Sequence, residues 1–502
     1  MFFFLFCLCS GINAQKVVRP LHPQWSFHQE GHEDHHPATV PGTVHMDLMH
    51  NGLMEDFYTD RNEHKYPWVE LDNWIYETSF FLQESELNND HIDLIFKGLD
   101  TYSSIELNGQ LLGNTDNMFL EYRYNVKKYV VHGKNHLKVT FESPIHKNLN
   151  KTREHAYKLP SGNETEEVQV SAYTRKAAYH FGWDFAPRAV TCGIWRPVYL
   201  ELWNKTRIDN IKITQGQLND ELAIMNLDVQ LKGEVLANDS VIVKCGQSSS
   251  EVQPFDGENI VKLKININNP DLWYPNGYGD QKMHYYTVRI YKGKQIIDSQ
   301  SFSFGIRQID LHQIDDEYGK SFFFAINGEP VFCKGANYIP QDMFLPSVSK
   351  KQTRELLLKV KKANMNMIRV WGGGIYESDY FYSLCDSLGI MVWQDFMFAN
   401  SLYPDTPEFI ESVRNEVEYN VKRLRNHPCI ALWCGNNEVE VAWENWGWQN
   451  QYNIHGDDSV AIWNNYQVIF HNLIPETLRK LDLGRHYISS SPISNWGNTK
   501  GL

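Results

Sequence analysis

Two hydrophobic periods divide this chain. Up to about residue 308, apolar and polar positions alternate in short runs, the period of half-buried strands. IELNGQLLG (105–113) places Asn108-Gly109 between two such runs, which predicts a tight hairpin. HLKVTFES (136–143) and PVYLELW (197–203) alternate in the same way. Strands and turns without helical periodicity predict a β sandwich of jelly-roll type over 15–205. IDNIKITQG, DSVIVKCG, VKLKINI and YYTVRIYKGKQIIDSQSFSFG then predict an immunoglobulin-like sandwich over 206–308. After FFFAINGEPVFCKG the period changes. Helical patterns such as SKKQTRELLLKVKKANM (349–365) alternate with the near-continuous apolar runs VFCKGANYIP, MNMIRVWGGG, GIMVWQDFMF, CIALWCGNNE and HYISSSPIS. Apolar strands separated by helices predict a parallel sheet covered on both faces. Without a G-x-G-x-x-G, the repeat favours part of a (β/α)8 barrel over 309–502. The Gly372–Gly374 run has no following Lys-Ser/Thr and is not a phosphate loop.

Composition adds compartment and partner class. MFFFLFCLCSGINAQ is too short to span a bilayer and reads as a secretory leader, residues 1–14, cut after Ala14. No later stretch reaches membrane-spanning length, so no membrane partner is expected. Sequons at Asn150, Asn163, Asn204 and Asn238 agree with a secretory route. The net charge of -14 and the lack of a basic stripe argue against nucleic acid. With 20 histidines, that negative surplus would vanish in an acidic compartment. Six cysteines lie outside the leader, none in C-x-x-C spacing, and several sit in apolar runs as buried thiols. The 15 tryptophans fit core packing, and they also fit a carbohydrate site, where an indole covers the C–H face of a pyranose.

The ends of the apolar runs carry the chemistry. In a (β/α) barrel the reacting groups sit at the C-terminal ends of the strands. Here those ends carry Asn337 and Tyr338, then Arg369 and Trp371, then Gln394 and Asp395, then Asn436, Asn437 and Glu438. A glutamate at such a mouth, walled by tryptophan and partly dehydrated, is suited to donate a proton. Glycoside hydrolysis needs that acid for the leaving oxygen. The competing reading is that Glu438 pairs with Arg369 as a buried ion pair.

These residues resemble a known family. VPGTVHMDL (40–48), DNWIYETSF (72–80), GLDTYSSIELNG (98–109), FGWDFAPR (181–188), CGIWRPV (192–198), KGANYIP (334–340), IRVWGGGIYES (368–378), VWQDFMFA (392–399) and NHPCIALWCGNNE (426–438) together resemble the retaining glycosidases that include β-mannosidase, β-galactosidase and β-glucuronidase. The Arg-x-Trp-Gly-Gly-Gly run points to the mannosidase branch. The resemblance implies a sugar-binding-like jelly roll, an immunoglobulin-like domain and a catalytic barrel. It implies Glu438 as acid/base, with Asn437 before it. It also implies Trp371 as a wall of the terminal-sugar subsite, Trp183 and Asp184 as a loop reaching in from the first domain, and Trp446 as a further aromatic wall. Arg369 and Asp395 would support them. The implied reaction is exo-hydrolysis of terminal β-D-mannose from N-glycan-derived oligosaccharides, in the lysosome and without a cofactor.

A retaining reaction needs a second carboxylate ~5 Å from the first. The family places it near the seventh barrel strand, and no residue of this chain fits. The barrel portion falls short of the ~250 residues usual for a complete barrel. The expectation is an incomplete barrel, inactive as given. The alternatives are another exo- or endo-glycosidase of the family, or a non-catalytic sugar-binding product. In HQEGHEDHHP (28–37), His32, Glu33, Asp34, His35 and His36 show no regular ligand spacing, so a polar loop and no metal are expected.

Overall fold

The computed structural model describes residues 16–21, 23–155, 157–254 and 257–492. The leader read at 1–14 lies outside them. The alternating runs of the first region form two antiparallel sheets. One orders the strands His36–Ala38, Trp25–Gln29, Trp74–Leu82, Gly133–Phe141, Ser103–Leu107 and Gln110–Thr115. The other orders Val17–Pro20, Val198–Trp203, His91–Phe96 and Tyr122–Asn125. Asn108 and Gly109 both take positive φ, 51° and 76°, as a primed hairpin turn requires. Between Phe141 and Val198 the described residues form no strand. The chain runs instead through the helix Pro144–Glu154 and short turns at Ser171–Tyr173 and Ala178–Phe181. That excursion carries the Trp183 loop.

A second pair of sheets follows. Thr206–Leu218, Leu222–Gly233 and Ile260–Asn268 face Ser248–Val252, Asp239–Cys245, His284–Lys292 and Gln295–Phe304. Strict alternation, as in Ile260–Asn268, sends Val261, Leu263, Ile265 and Ile267 into a core of their own. A small antiparallel sheet of Ile309–His312, Phe323–Ile326 and Glu329–Val331 comes next.

The five apolar runs form five parallel strands in chain order: Gly335–Tyr338, Met367–Val370, Met391–Asp395, Ile430–Cys434 and His486–Ile488. They explain their own sequences. Ile368, Val370, Val392 and Trp433 pack with helix residues such as Leu357, Phe381, Val417 and Val421. Met367, Met391, Leu432 and Cys434 pack with Phe324, Ile326 and Val331 of the small sheet. Both faces of the inner strands Met391–Asp395 and Ile430–Cys434 are covered, so neither needs polar alternation, whereas residues 335–337 on the first strand stay exposed. The helices Lys350–Lys362, Asp379–Leu388 and Pro407–Leu424 start on Ser349, Ser378 and Thr406, each of which caps a first-turn N–H.

The six described cysteines are free thiols, with only Cys333 exposed. Asn150 and Asn238 are exposed. Asn204 is half-buried and holds Asn89 and the Asp90 N–H. Among the described residues no helix is long and apolar enough to cross a membrane.

Candidate active site

A hydrogen-bonded chain links four strand ends. Arg369 donates to Asp395 through Nε at 3.2 Å and Nη2 at 2.7 Å. Its Nη2 also meets Asn437 Oδ1 at 3.0 Å, and its Nη1 lies 3.4 Å from Asn337 Oδ1. Asn437 then donates from Nδ2 to Glu438 Oε2 at 3.0 Å. Arginine offers only donors, so the Asn437 oxygen must face Arg369 and its amide must face Glu438. Asp395 is fully buried and also accepts from the Gly372 N–H and Trp393 Nε1. Burial raises its carboxyl, and Arg369 pulls it back. The ion pair of Arg369 is therefore with Asp395, not with Glu438.

Glu438 sits at the turn from strand to helix. Its φ of 62° is left-handed, which costs ~1–2 kcal/mol for a residue with a side chain. Its N–H donates to Ser491 O at 3.1 Å, and Asn436 Oδ1 accepts from the Val439 N–H, opening the helix Val439–Asn445. The run CIALWCGNNE thus splits its two asparagines. Asn436 holds the backbone and Asn437 holds the carboxylate. Gln394 also turns away from the mouth, to the Tyr382 hydroxyl.

Trp371 shows why three glycines follow it. A Cβ on Gly373 would lie 1.9 Å from the Trp371 ring, and one on Gly372 would lie 2.7 Å from Phe398 O. The ring fits only against bare backbone. Gly373 O accepts the Tyr179 N–H of the first sandwich at 3.1 Å. Just beyond Tyr179, the Trp183 ring meets Trp371 edge-on with centroids 4.6 Å apart, and Phe185 lies 5.6 Å from Trp371.

Glu438, Trp183 and Asp184 line one cleft of about 1050 Å³. Asp184 is exposed and Trp183 half-buried. Arg188, on the same wall, joins Glu70 at 3.0 Å and Glu164 at 3.1 Å. Burial raises the Glu70 carboxyl while Arg188 opposes the rise. His45, also in the wall, is held near 3 by burial and by Lys176, and so stays neutral. Trp446 does not join them. It caps the C-terminal end of Val439–Asn445 with 45% of its surface exposed, and its ring contact is with Trp448. Being at a helix end, it is turned out of the wall.

Two cleft residues carried no functional reading in the sequence. Asn400, after the third strand, has φ 47° and accepts the Gly162 N–H at 2.8 Å. Asn163 reads in the sequence only as a sequon. Its Nδ2 donates to Ala178 O and Gly182 O, both at 3.1 Å, which ties down the Trp183 loop. A glycan on that nitrogen would replace one of its two hydrogens and so remove at least one of these bonds, which argues against occupancy of the Asn163 sequon. The side-chain oxygens of Asn163 and Asn400 are buried without a partner among the described residues and border the cleft. No local pattern signals either role.

Among the described residues, the other carboxylates lining the cleft (Glu63, Glu70, Glu166, Glu167 and Asp184) come from the first sandwich. Glu440 is engaged by the Tyr466 hydroxyl at 2.9 Å, and Glu444 is exposed.

Comparison with known proteins places this site in context. A "glycosyl hydrolase 2 galactose-binding domain-like" family model matches residues 25–196, and a "glycosyl hydrolases family 2" model matches 206–307. The chain is 36% identical to a β-mannosidase of Rattus norvegicus, with 97% of this chain and 57% of that protein covered. It is 35% identical to β-mannosidase B of Emericella nidulans, with 95% and 57% covered. A crystal structure of β-D-mannosidase from Dictyoglomus thermophilum superposes with a TM-score of 0.87 at 38% identity, covering 95% of this chain and 58% of that one. The chain thus spans just over half the length of these relatives.

Proposed function

Since the chain belongs to glycosyl hydrolase family 2, with β-mannosidases among its relatives, we propose that it carries the acid/base half of a retaining β-mannosidase site. The first two units, 15–205 and 206–308, serve as the family's sandwiches. The third, 309–502, is read as the N-terminal part of a (β/α)8 barrel. Glu438 protonates the leaving oxygen and then activates water. Asn437, aimed by Arg369 and Asp395, holds the carboxylate and is within reach of a sugar hydroxyl beside it. Trp183 and Trp371 supply apolar walls for the ring, and Asp184 accepts from its hydroxyls. Asn163 and Asn400 offer the two unpartnered oxygens. A loop from another domain limits the depth of the cleft, which supports removal of one terminal β-D-mannose from an oligosaccharide. Secretory delivery to the lysosome is part of the proposal, supported by the leader-like start and the exposed sequons. The nucleophilic carboxylate is not assigned.

The observation that carries this reading is the Arg369–Asn437–Glu438 relay opening on the Trp183 cleft. The test uses a version extended to the length of the relatives, compared with the 502-residue chain. Glu438→Gln should lower hydrolysis of a mannose disaccharide by ~10²–10⁴-fold. An aryl β-mannoside with an acidic leaving phenol should lose far less in its first step, and added azide should restore turnover by attacking without a general base. An unimpaired Glu438→Gln enzyme on the disaccharide would refute the assignment.

A further inference from the structure

Far from the cleft, on the outer face of the six-stranded sheet, neighbouring strands bring together residues that the sequence scatters over a hundred positions. His28 lies on Trp25–Gln29, Glu77 on Trp74–Leu82 and His136 on Gly133–Phe141. His35 stands at the end of the loop before His36–Ala38. Ser26 pairs with Glu77, and His136 with Ser79, so His28 and His136 are diagonal neighbours of Glu77 from either side. All three point outward by the two-residue period of their strands.

The donor atoms converge. Those of His28, His35 and Glu77 lie within 4.8 Å of one another. His35 Nδ1 is 3.7 Å from Glu77 Oε2, and His136 Nε2 is 3.6 Å from Glu77 Oε1. The His28 and His35 rings are 4.1 Å apart. His28 Nδ1 is buried without a hydrogen-bond partner among the described residues. The nearby cation Lys138 is committed to Glu106 at 3.0 Å. Nitrogen and oxygen ligands of tetrahedral zinc sit ~2.0–2.2 Å from the metal, which spaces them a little over 3 Å apart. Rotation of the partly exposed His35 and Glu77 side chains would be needed to reach that spacing, and His136, which faces the other Glu77 oxygen and lies outside the three-residue group, would have to swing in with them.

We infer that His28, His35 and Glu77, with His136 as the fourth ligand, form a surface zinc-binding site. The donor set of imidazoles plus one carboxylate suits zinc above magnesium or calcium. The ion would staple the 30–35 loop to the sheet by joining three strands, so its effect is on the stability of the first sandwich and not on the chemistry at Glu438.

Zinc chloride titrated calorimetrically into the 502-residue chain should bind with one saturable site, and the melting temperature should rise with free zinc. Cobalt(II) in its place should give the visible absorption of a four-coordinate ion. Glu77→Gln and His136→Ala should each weaken binding at least tenfold, and His28→Ala with His35→Ala should abolish it. Circular dichroism without metal verifies that these variants are folded. Should the double variant unfold, the two single substitutions decide alone. Zinc binding that is unchanged by them, or no saturable site in the wild-type chain, would overturn the inference.

Discussion

The two sandwiches meet the parallel-sheet unit through different chemistry. Residues of the first sandwich, such as Phe119, Tyr173 and Tyr179, belong to the same buried apolar cluster as Tyr376, Phe398 and Val417 of the parallel unit. A buried ion pair runs through this junction. Arg175 donates to Glu416 from Nε at 2.9 Å and Nη2 at 2.7 Å, and Asn117 and Tyr376 fill out the same carboxylate. The second sandwich keeps its core separate. Its contacts with the parallel unit are narrower: the buried Trp273 packs in a small cluster with Met367, Met391 and Leu432, and part-buried polar bonds join the rest. Asn426 bridges Ile211 O and the Ile213 N–H, and Arg307 donates to Pro428 O and Ile430 O. The difference teaches which sandwich must hold position. The first delivers Trp183 to within ring contact of Trp371, and only shared packing keeps such a contact in place. Among the described residues, the second places none along the cleft.

Removing the buried pair should break the first junction most severely. Glu416→Ala strands Arg175 and should cost about 3–5 kcal/mol. In urea, the first sandwich and the parallel unit should lose stability together, while the second sandwich keeps its own transition. A uniform shift of both transitions would dissolve the distinction.

A pH series sharpens it next. Burial pushes Asp47 from 3.8 to about 7, although it accepts from the Thr39 N–H and the Tyr76 hydroxyl. Between those values the folded chain holds a proton that the unfolded chain does not, so Asp47 contributes stability in acid that is lost as pH rises through about 7. Glu377, also raised to about 7 by burial, acts in the same direction. His45 opposes them: held at about 3 against 6.5, it costs stability as pH falls below 6.5. Asp47→Asn should therefore flatten the loss between pH 5 and 7.5 by on the order of 1–3 kcal/mol. Denaturation midpoints across that range measure it, and an unchanged slope would remove Asp47 from the account.

The smallest effect belongs to the second junction. Asn426→Ala should cost about 1 kcal/mol and leave ligand binding at the cleft unaltered. A loss of binding would show that the second sandwich also positions the site.

Much of the fold was legible in the sequence because its signals are local. Alternation at Ile260–Asn268, the Asn108-Gly109 turn and the unbroken apolar runs each follow from period and backbone preference within a few residues. Glu438, Asn437, Arg369 and Asp395 were legible as strand-end polar residues for the same reason. Partner choice was not. Only the assembled chain decided that Arg369 pairs with Asp395 and leaves Glu438 to Asn437. The same holds for the Asn163 amide on the Trp183 loop, for Trp446 at an exposed helix end, and for Glu77 among histidines of neighbouring strands. A side chain's period is set by its own backbone, whereas its hydrogen-bond partner is set by which distant segments the buried apolar surface brings together.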